Sequence, residues 1–249
     1  MKLSVIIPVY NEEGTLREVL HRVHEARVHQ IIAVDDGSAD ASGAILREVG
    51  SAFSELKVLC HDANRGKGAA IHTALAHVTG EAVIIQDADL EYDPAEYPAL
   101  VGPIERGRAD VVYGSRILGR NAASYRRYYW GGKIASLVAG VVFGRRVTDQ
   151  HTCYKVFKTE LLRSLPLRET GFGFCAEVTA MLLKNRVQIE EVPISYCPRS
   201  IEQGKKIRWH DGLRALWITL KHRFTRRSVP RPEKKSAIKQ LKNRAAEET

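Results

Sequence analysis

The apolar and polar positions repeat a simple pattern. Short continuous apolar runs are each followed by polar residues and then by a segment of helical spacing. Residues 3–7 form the first run, which ends at Pro8. After Val9-Tyr10-Asn11-Glu12-Glu13, the apolar residues Leu16, Val19, Leu20 and Val23 recur at the spacing of an amphipathic helix. Asn11 is its expected N-cap. Residues 30–34 form a second run, closing on Asp35-Asp36-Gly37-Ser38. A helix over about residues 41–49 precedes a third strand at 56–60. His61-Asp62-Ala63-Asn64-Arg65-Gly66-Lys67-Gly68 then leads into a helix over 69–78. Residues 82–85 form a fourth run that stops abruptly at Gln86-Asp87-Ala88-Asp89. Strands that are apolar throughout, rather than alternating, predict a parallel sheet covered on both faces, an α/β fold. Ligands of such sheets bind beyond the carboxyl ends of the strands. Here those ends carry PVYNEE, VDDGS, NRGKG and QDADLE.

The second half is less regular. A helix is expected from Pro94 to about residue 107, then a strand at 110–113 closing on Gly114-Ser115-Arg116. Residues 119–133 are basic, aromatic and glycine-containing, and lead into an apolar stretch at 134–143. Asp149-Gln150-His151-Thr152-Cys153-Tyr154-Lys155 follows. Glu177 stands on an otherwise apolar helix, where either an ion pair with an arginine or a catalytic role would suit it. Residues 187–196 read as another strand. A helix from Asp211 carries Leu213, Leu216, Trp217, Leu220 and Phe224 on one face. Beyond Pro230 the chain is polar and charged, which fits a loosely ordered tail.

Composition sharpens this picture in three ways. First, 249 residues, 44% of them hydrophobic, suit one α/β domain with an appendage. Second, Cys60, Cys153, Cys175 and Cys197 are widely spaced without a CxxC pair, so they read as reduced thiols in a cytosolic setting. Third, the net charge of +9 is uneven. Lys and Arg crowd residues 199–244, and acids are frequent before Glu105. An anionic partner for the C-terminal part is expected: nucleic acid, acidic lipid or a phosphorylated substrate. The apolar start is too short for a signal peptide. No stretch reaches the roughly 20 apolar residues that span a bilayer.

The candidate chemistry centres on Asp87 and Asp89. Two residues apart on extended backbone, their carboxylates point the same way, and they repel unless a cation lies between them. Mg²⁺ or Mn²⁺ bridging to a diphosphate is the expected answer, with Glu91 extending the acidic edge; the bland alternative is an acidic turn that caps the next helix. Asp35 and Asp36 suit hydrogen bonds to a base and ribose, or a simple turn. In NRGKG the glycines allow close backbone approach, and Lys67 at a helix start favours phosphate. Neither GxxxxGK[ST] nor GxGxxG is present.

Taken together and in this order, PVYNEE, VDDGS, NRGKG, DADLE and GSR resemble the family-2 inverting glycosyltransferases. The closer resemblance is to the polyprenol- or dolichol-phosphate hexosyltransferases of the dolichyl-phosphate mannose synthase type, over about residues 3–224. It implies a GT-A fold: a mostly parallel central sheet flanked by helices, with a Rossmann-like nucleotide-binding half. A donor half at about 1–116 and an acceptor half at about 117–225 would make up the catalytic domain, with 226–249 as a basic tail. Pro8, Tyr10, Asn11 and Glu12 would line the nucleotide pocket, and Asp36 would touch the base or ribose. Gly66 and Lys67 would lie near the diphosphate. Asp87, Asp89 and Glu91 would hold the metal; Glu91 stands where the mannose synthases often carry Gln. Arg116, Arg126 and Arg199 would face the acceptor phosphate, with Lys206 completing an anion cradle; Arg127 is an equal alternative to Arg126. The Arg199 cluster is one residue longer than the usual RxxGESK spacing.

The implied reaction is metal-dependent, inverting transfer of a hexose from a UDP- or GDP-linked sugar to a polyprenyl phosphate. A phosphate monoester is already anionic at neutral pH, since its second pKa is near 6. It needs positioning and charge neutralisation more than a base, and no histidine holds an obvious base position. The lipid tail calls for a membrane-facing surface, on residues 134–143 or on the Leu213–Phe224 face. Packing of both helices on the sheet is the alternative. The protein would lie peripherally on the cytoplasmic face. Two competing functions are transfer to a saccharide or other hydroxyl in cell-envelope polysaccharide synthesis, and a basic nucleic-acid-binding module. The second leaves the acidic strand ends unexplained, so no nucleic acid partner is expected.

Overall fold

The computed structural model describes residues 1–119, 121, 126–199 and 209–224. One seven-stranded sheet forms its centre. The strands are β1 (Leu3–Val9), β2 (Gln30–Asp35), β3 (Leu56–Cys60), β4 (Ala82–Ile85), β5 (Val111–Ser115), β6 (Lys155–Lys158) and β7 (Ile189–Pro193). Their order is β3-β2-β1-β4-β6-β5-β7. The first four are parallel, in registers that set Val9 beside Asp35 and Ile6 beside Ile85. Their carboxyl ends therefore open on one edge, as the apolar runs predict.

The helices are α1 (Leu16–Glu25), α2 (Ser42–Gly50), α3 (Lys67–Leu75), α4 (Tyr97–Glu105), α5 (Arg126–Phe143), α6 (Thr159–Ser164), α7 (Phe174–Lys184) and α8 (Trp209–Phe224). Helix α1 buries Leu16, Val19, Leu20 and Val23, the four residues its periodicity picks out. Its N-cap is Thr15, not Asn11. Asn11 instead adopts φ of +50° and accepts from the amide of Ala39, so it serves a loop contact.

Two elements differ from expectation. Where the resemblance sets Thr152–Lys155 beside a turn of the relatives, Lys155 opens β6. That strand runs antiparallel to both β4 and β5 and joins the two parallel groups. At four residues it is too short for periodicity to announce it. Residues 134–143 belong to an 18-residue helix, and among the described residues no helix is long and apolar enough to cross a membrane.

The candidate active site

The site is built at the carboxyl ends of β1, β2 and β4. Two of its loops are zipped together. The amides of Asn11, Glu12 and Glu13 donate to Ser38 Oγ, Ser42 Oγ and Asp40 Oδ2 at 2.9–3.0 Å. In return, Asn11 Oδ1 and Glu13 Oε2 accept from the amides of Ala39 and Ala41. PVYNEE and VDDGS thus form one double-loop wall, with Tyr10 exposed at its rim and Pro8 half-buried.

Asp36 does not face outward. It is 2% exposed. Its Oδ1 accepts from His61 Nδ1 at 2.6 Å and from the Arg65 amide at 2.9 Å, and its Oδ2 accepts from the Gly66 amide at 2.7 Å. His61 is braced in turn by Thr73. The carboxylate expected to touch a base or ribose instead clamps NRGKG from below. His61 carries no motif signal, and only the folded chain brings it onto Asp36.

The glycines of NRGKG also serve the fold. Gly66 has φ of +98°, and a Cβ there would lie 2.6 Å from the carbonyl oxygen of Thr170. A Cβ on Gly68 would lie 2.2 Å from that of Glu169. The Ala69 amide donates to Thr170 at 2.9 Å. The close approach is to the chain's own 169–171 segment. Asp36→Ala should free this loop. We expect the melting temperature to fall while the fold persists, since the buried Arg65 and Gly66 amides lose a charged acceptor; circular dichroism and a melting curve would check this. An unchanged melting temperature would mean that Asp36 does not hold the loop.

At the end of β4 the acids meet cations. Lys67 Nζ, at the start of α3, pairs with Asp87 Oδ1 and lies 3.2 Å from Cys153 Sγ. Burial alone would lower the lysine's pKa; Asp87 beside it outweighs this and holds it well above the usual value. Arg199 donates to Asp89 Oδ2 at 2.7 Å and to Glu12 Oε2 at 2.8 Å. Asp89 is 4% exposed. Burial, then the charges of Asp87 and Glu91, raise its carboxyl to about 7 despite Arg199. Glu91 is turned aside: its Oε2 accepts from the Tyr196 hydroxyl at 3.0 Å and its Oε1 from the Arg199 amide at 2.8 Å.

As for a metal, Asp87 and Asp89 fit. They are hard oxygen donors, mutually repelling, and already drawn to two cationic side chains. Glu91 and Asp89 each already accept on both oxygens, Glu91 from Tyr196 and the Arg199 amide, Asp89 from Arg199 and the Glu91 amide. Among the described residues no three His, Cys, Asp or Glu side chains converge as a metal set.

The expected basic pole is divided. Arg199 stands at the acid pair itself, not across from it. Arg116 is engaged with Asp149 through two parallel hydrogen bonds of 2.7 and 2.8 Å and lies over the Tyr196 ring. Asp149 is 3% exposed; burial would raise its pKa, but Arg116 outweighs this and lowers it. The side chain of Arg126, the residues at 204–206 including Lys206, and the tail 226–249 lie outside the described residues. Glu177 is structural. It accepts from the amides of Arg168 and Glu169 and faces the His222 ring at 3.7 Å, so the side chain opposite it is a histidine and not an arginine.

Further residues complete the floor. Gln86 Oε1 accepts from Tyr97 and Tyr154, both at 2.7 Å, which anchors the strand end. Tyr92 accepts from the Cys153 amide. The oxygens Gln150 Oε1 and Thr152 Oγ1 are buried with no hydrogen-bond partner among the described residues.

Comparison with known proteins decides the family. Residues 4–165 match the profile of glycosyl transferase family 2. The chain belongs to this family. An undecaprenyl-phosphate 4-deoxy-4-formamido-L-arabinose transferase of Edwardsiella ictaluri is 32% identical over 212 residues, 82% of this chain and 62% of that protein. A dolichol-phosphate mannosyltransferase of Pyrococcus furiosus is 28% identical over 213 residues, 82% of this chain and 59% of that one. The chain thus spans less than two thirds of the length of these curated relatives. Glucosyl-3-phosphoglycerate synthase of Mycobacterium tuberculosis, solved with Mn²⁺, UDP and phosphoglyceric acid, shares the GT-A fold. Its TM-score is 0.71 at 20% identity, covering 90% of this chain and 79% of that one.

Proposed function

We propose that this family 2 chain transfers a hexose from a nucleotide-sugar to a polyprenyl phosphate, with inversion and with a divalent metal. The observation that carries the proposal is the acid pair of half-buried Asp87 and buried Asp89 at the end of β4, flanked by Lys67 and Arg199. A nucleotide diphosphate with a metal is the ligand whose charges alternate in that way. Asp87 and Asp89 would hold the metal, which would supply charge stabilisation to the departing diphosphate.

Lys67 would then be released toward the diphosphate, and Arg199 toward the acceptor phosphate. The wall of Pro8, Tyr10, Asn11 and Glu12 would seat the nucleotide, held in shape by its bonds to 38–42. The names of the relatives support a lipid phosphate acceptor. Such an acceptor attacks C1 as an anion, so the chain need only orient it and screen its charge.

A seat on a membrane surface, which we place at the cytoplasmic face, is supported as to membrane contact by two helices. Helix α5 buries Ala135 and Ala139 but exposes Ile134, Leu137 and Val141. Helix α8 buries Ala215 and Ile218 but exposes Leu213, Trp217 (59%), Leu220 and Phe224 (86%). Each helix thus leaves large apolar side chains facing out, which an ordinary core helix does not do.

The direct test is incubation with UDP- and GDP-sugars, Mn²⁺ or Mg²⁺, and undecaprenyl or dolichyl phosphate, with the lipid product identified by mass. Arg126→Ala should raise the KM for the lipid phosphate about tenfold and leave nucleotide affinity unchanged. An equal loss of nucleotide affinity would remove Arg126 from the acceptor side. Product on a free saccharide, and none on the lipid phosphate, would replace the proposal with the hydroxyl-acceptor alternative.

A further inference from the structure

A cleft of about 730 Å³ opens where α5, α7 and α8 end, far along the chain from the acid pair. Val141 and Leu183 are among its apolar lining residues, and Arg145, Lys184, Arg186 and Arg223 are its charged ones. No acid lines it. Lys184 and Arg223 stand in the last turns of their helices, where a cation offsets the helix dipole. Arg145 and Arg186 lie beyond the helix ends and are not needed for that. Arg186 even adopts φ of +60°, a conformation that glycine takes at lower cost. No described carboxylate pairs with Arg145, Arg186 or Arg223, and all three are exposed. The cleft also continues the exposed apolar stripes: Val141 belongs to both, and Arg223 lies between Leu220 and Phe224.

We propose that this cleft seats the headgroup of an acidic phospholipid in the bilayer on which α5 and α8 rest. The partner follows from charge and continuity. A concentrated cationic group beside an apolar stripe matches a headgroup phosphate above acyl chains. The inference rests on the membrane seat proposed above and deepens it, by naming the lipid class that the seat selects.

Binding of the full chain to vesicles tests it without any sugar transfer, so failure of the transfer reaction and failure of the headgroup site remain separable. Two vesicle types are needed: pure phosphatidylcholine, and phosphatidylcholine mixed with phosphatidylglycerol. The wild type should prefer the acidic vesicles. The triple variant Arg145→Gln, Arg186→Gln, Arg223→Gln should lose about a hundredfold of affinity for them and nothing for neutral vesicles. The double variant Leu137→Asp, Trp217→Asp should lose binding to both. A control triple variant at exposed cations elsewhere (Arg27, Arg47 and Arg106 to Gln) should behave as wild type. Circular dichroism and nucleotide binding establish that each variant is folded. The proposal is overturned if the wild type binds both vesicle types equally, if the cleft variant keeps the wild-type preference, or if the control variant loses as much as the cleft variant.

Discussion

Asp89→Asn should reduce sugar transfer by about a thousandfold or more, while the melting temperature stays level or rises. The two halves of this result have separate causes. Asp89 is buried and held near a pKa of about 7 by desolvation and by the charges of Asp87 and Glu91. Its ionised form is therefore disfavoured in the folded protein even with Arg199 beside it, and an amide of the same shape removes the repulsion. Arg199 keeps Glu12 as a partner. The activity loss follows if Asp89 is one of two carboxylates that hold the metal, because charge stabilisation of the leaving diphosphate is worth several kcal/mol. Mn²⁺ should raise the melting temperature of the wild type but not of the variant, since only a protein that binds the ion is stabilised by it. Wild-type turnover in a chelating buffer, or a variant with normal turnover, would remove the metal from the mechanism.

The second large effect is on stability. Arg116→Ala should cost about 3–5 kcal/mol, read as a lower denaturant midpoint. The reason is that Asp149 would be left buried without its bidentate partner. Replacing both residues, Arg116→Met with Asp149→Leu, should recover most of the loss, since the pair is a poor source of net stability but a costly one to break in half. The pair also fixes an acid dependence. The folded-state pKa of Asp149 is below its usual value, so its contribution is complete above about pH 4, the ordinary aspartate pKa, and is lost as pH falls through the folded value. The double replacement should flatten that limb. An Arg116→Ala protein of normal stability with impaired lipid phosphate use would instead mean that Arg116 is available to the acceptor.

These two residues mark where local sequence is informative. Asp89 is legible because an apolar run ends and charges begin, which places the acids at a strand terminus by register alone. The same holds for PVYNEE, VDDGS and NRGKG. Arg116 is also placed at a strand end by its motif, but its partner Asp149 is 33 residues away and carries no signal of its own. A local pattern says where a side chain emerges, not which way it turns. Asp36 and Glu91 turned inward and sideways for that reason, toward His61 and Tyr196.

Sequence by itself determined the parallel half of the sheet, the four polar strand ends and the acid pair, because each depends on residues within a few positions of one another. Tertiary structure alone decided the rest. It inserted the four-residue β6 between β4 and β5, a pairing dictated by neighbours and not by length. It gave the NRGKG glycines a second duty against Thr170. It also chose which faces of α5 and α8 are buried, leaving Leu137, Trp217 and Phe224 out. The choice of buried face depends on what packs against a helix, and that is settled between segments far apart in the chain. The acid pair of β4 was visible from the first pass; that Lys67 and Arg199 already stand against it is a property of the folded molecule.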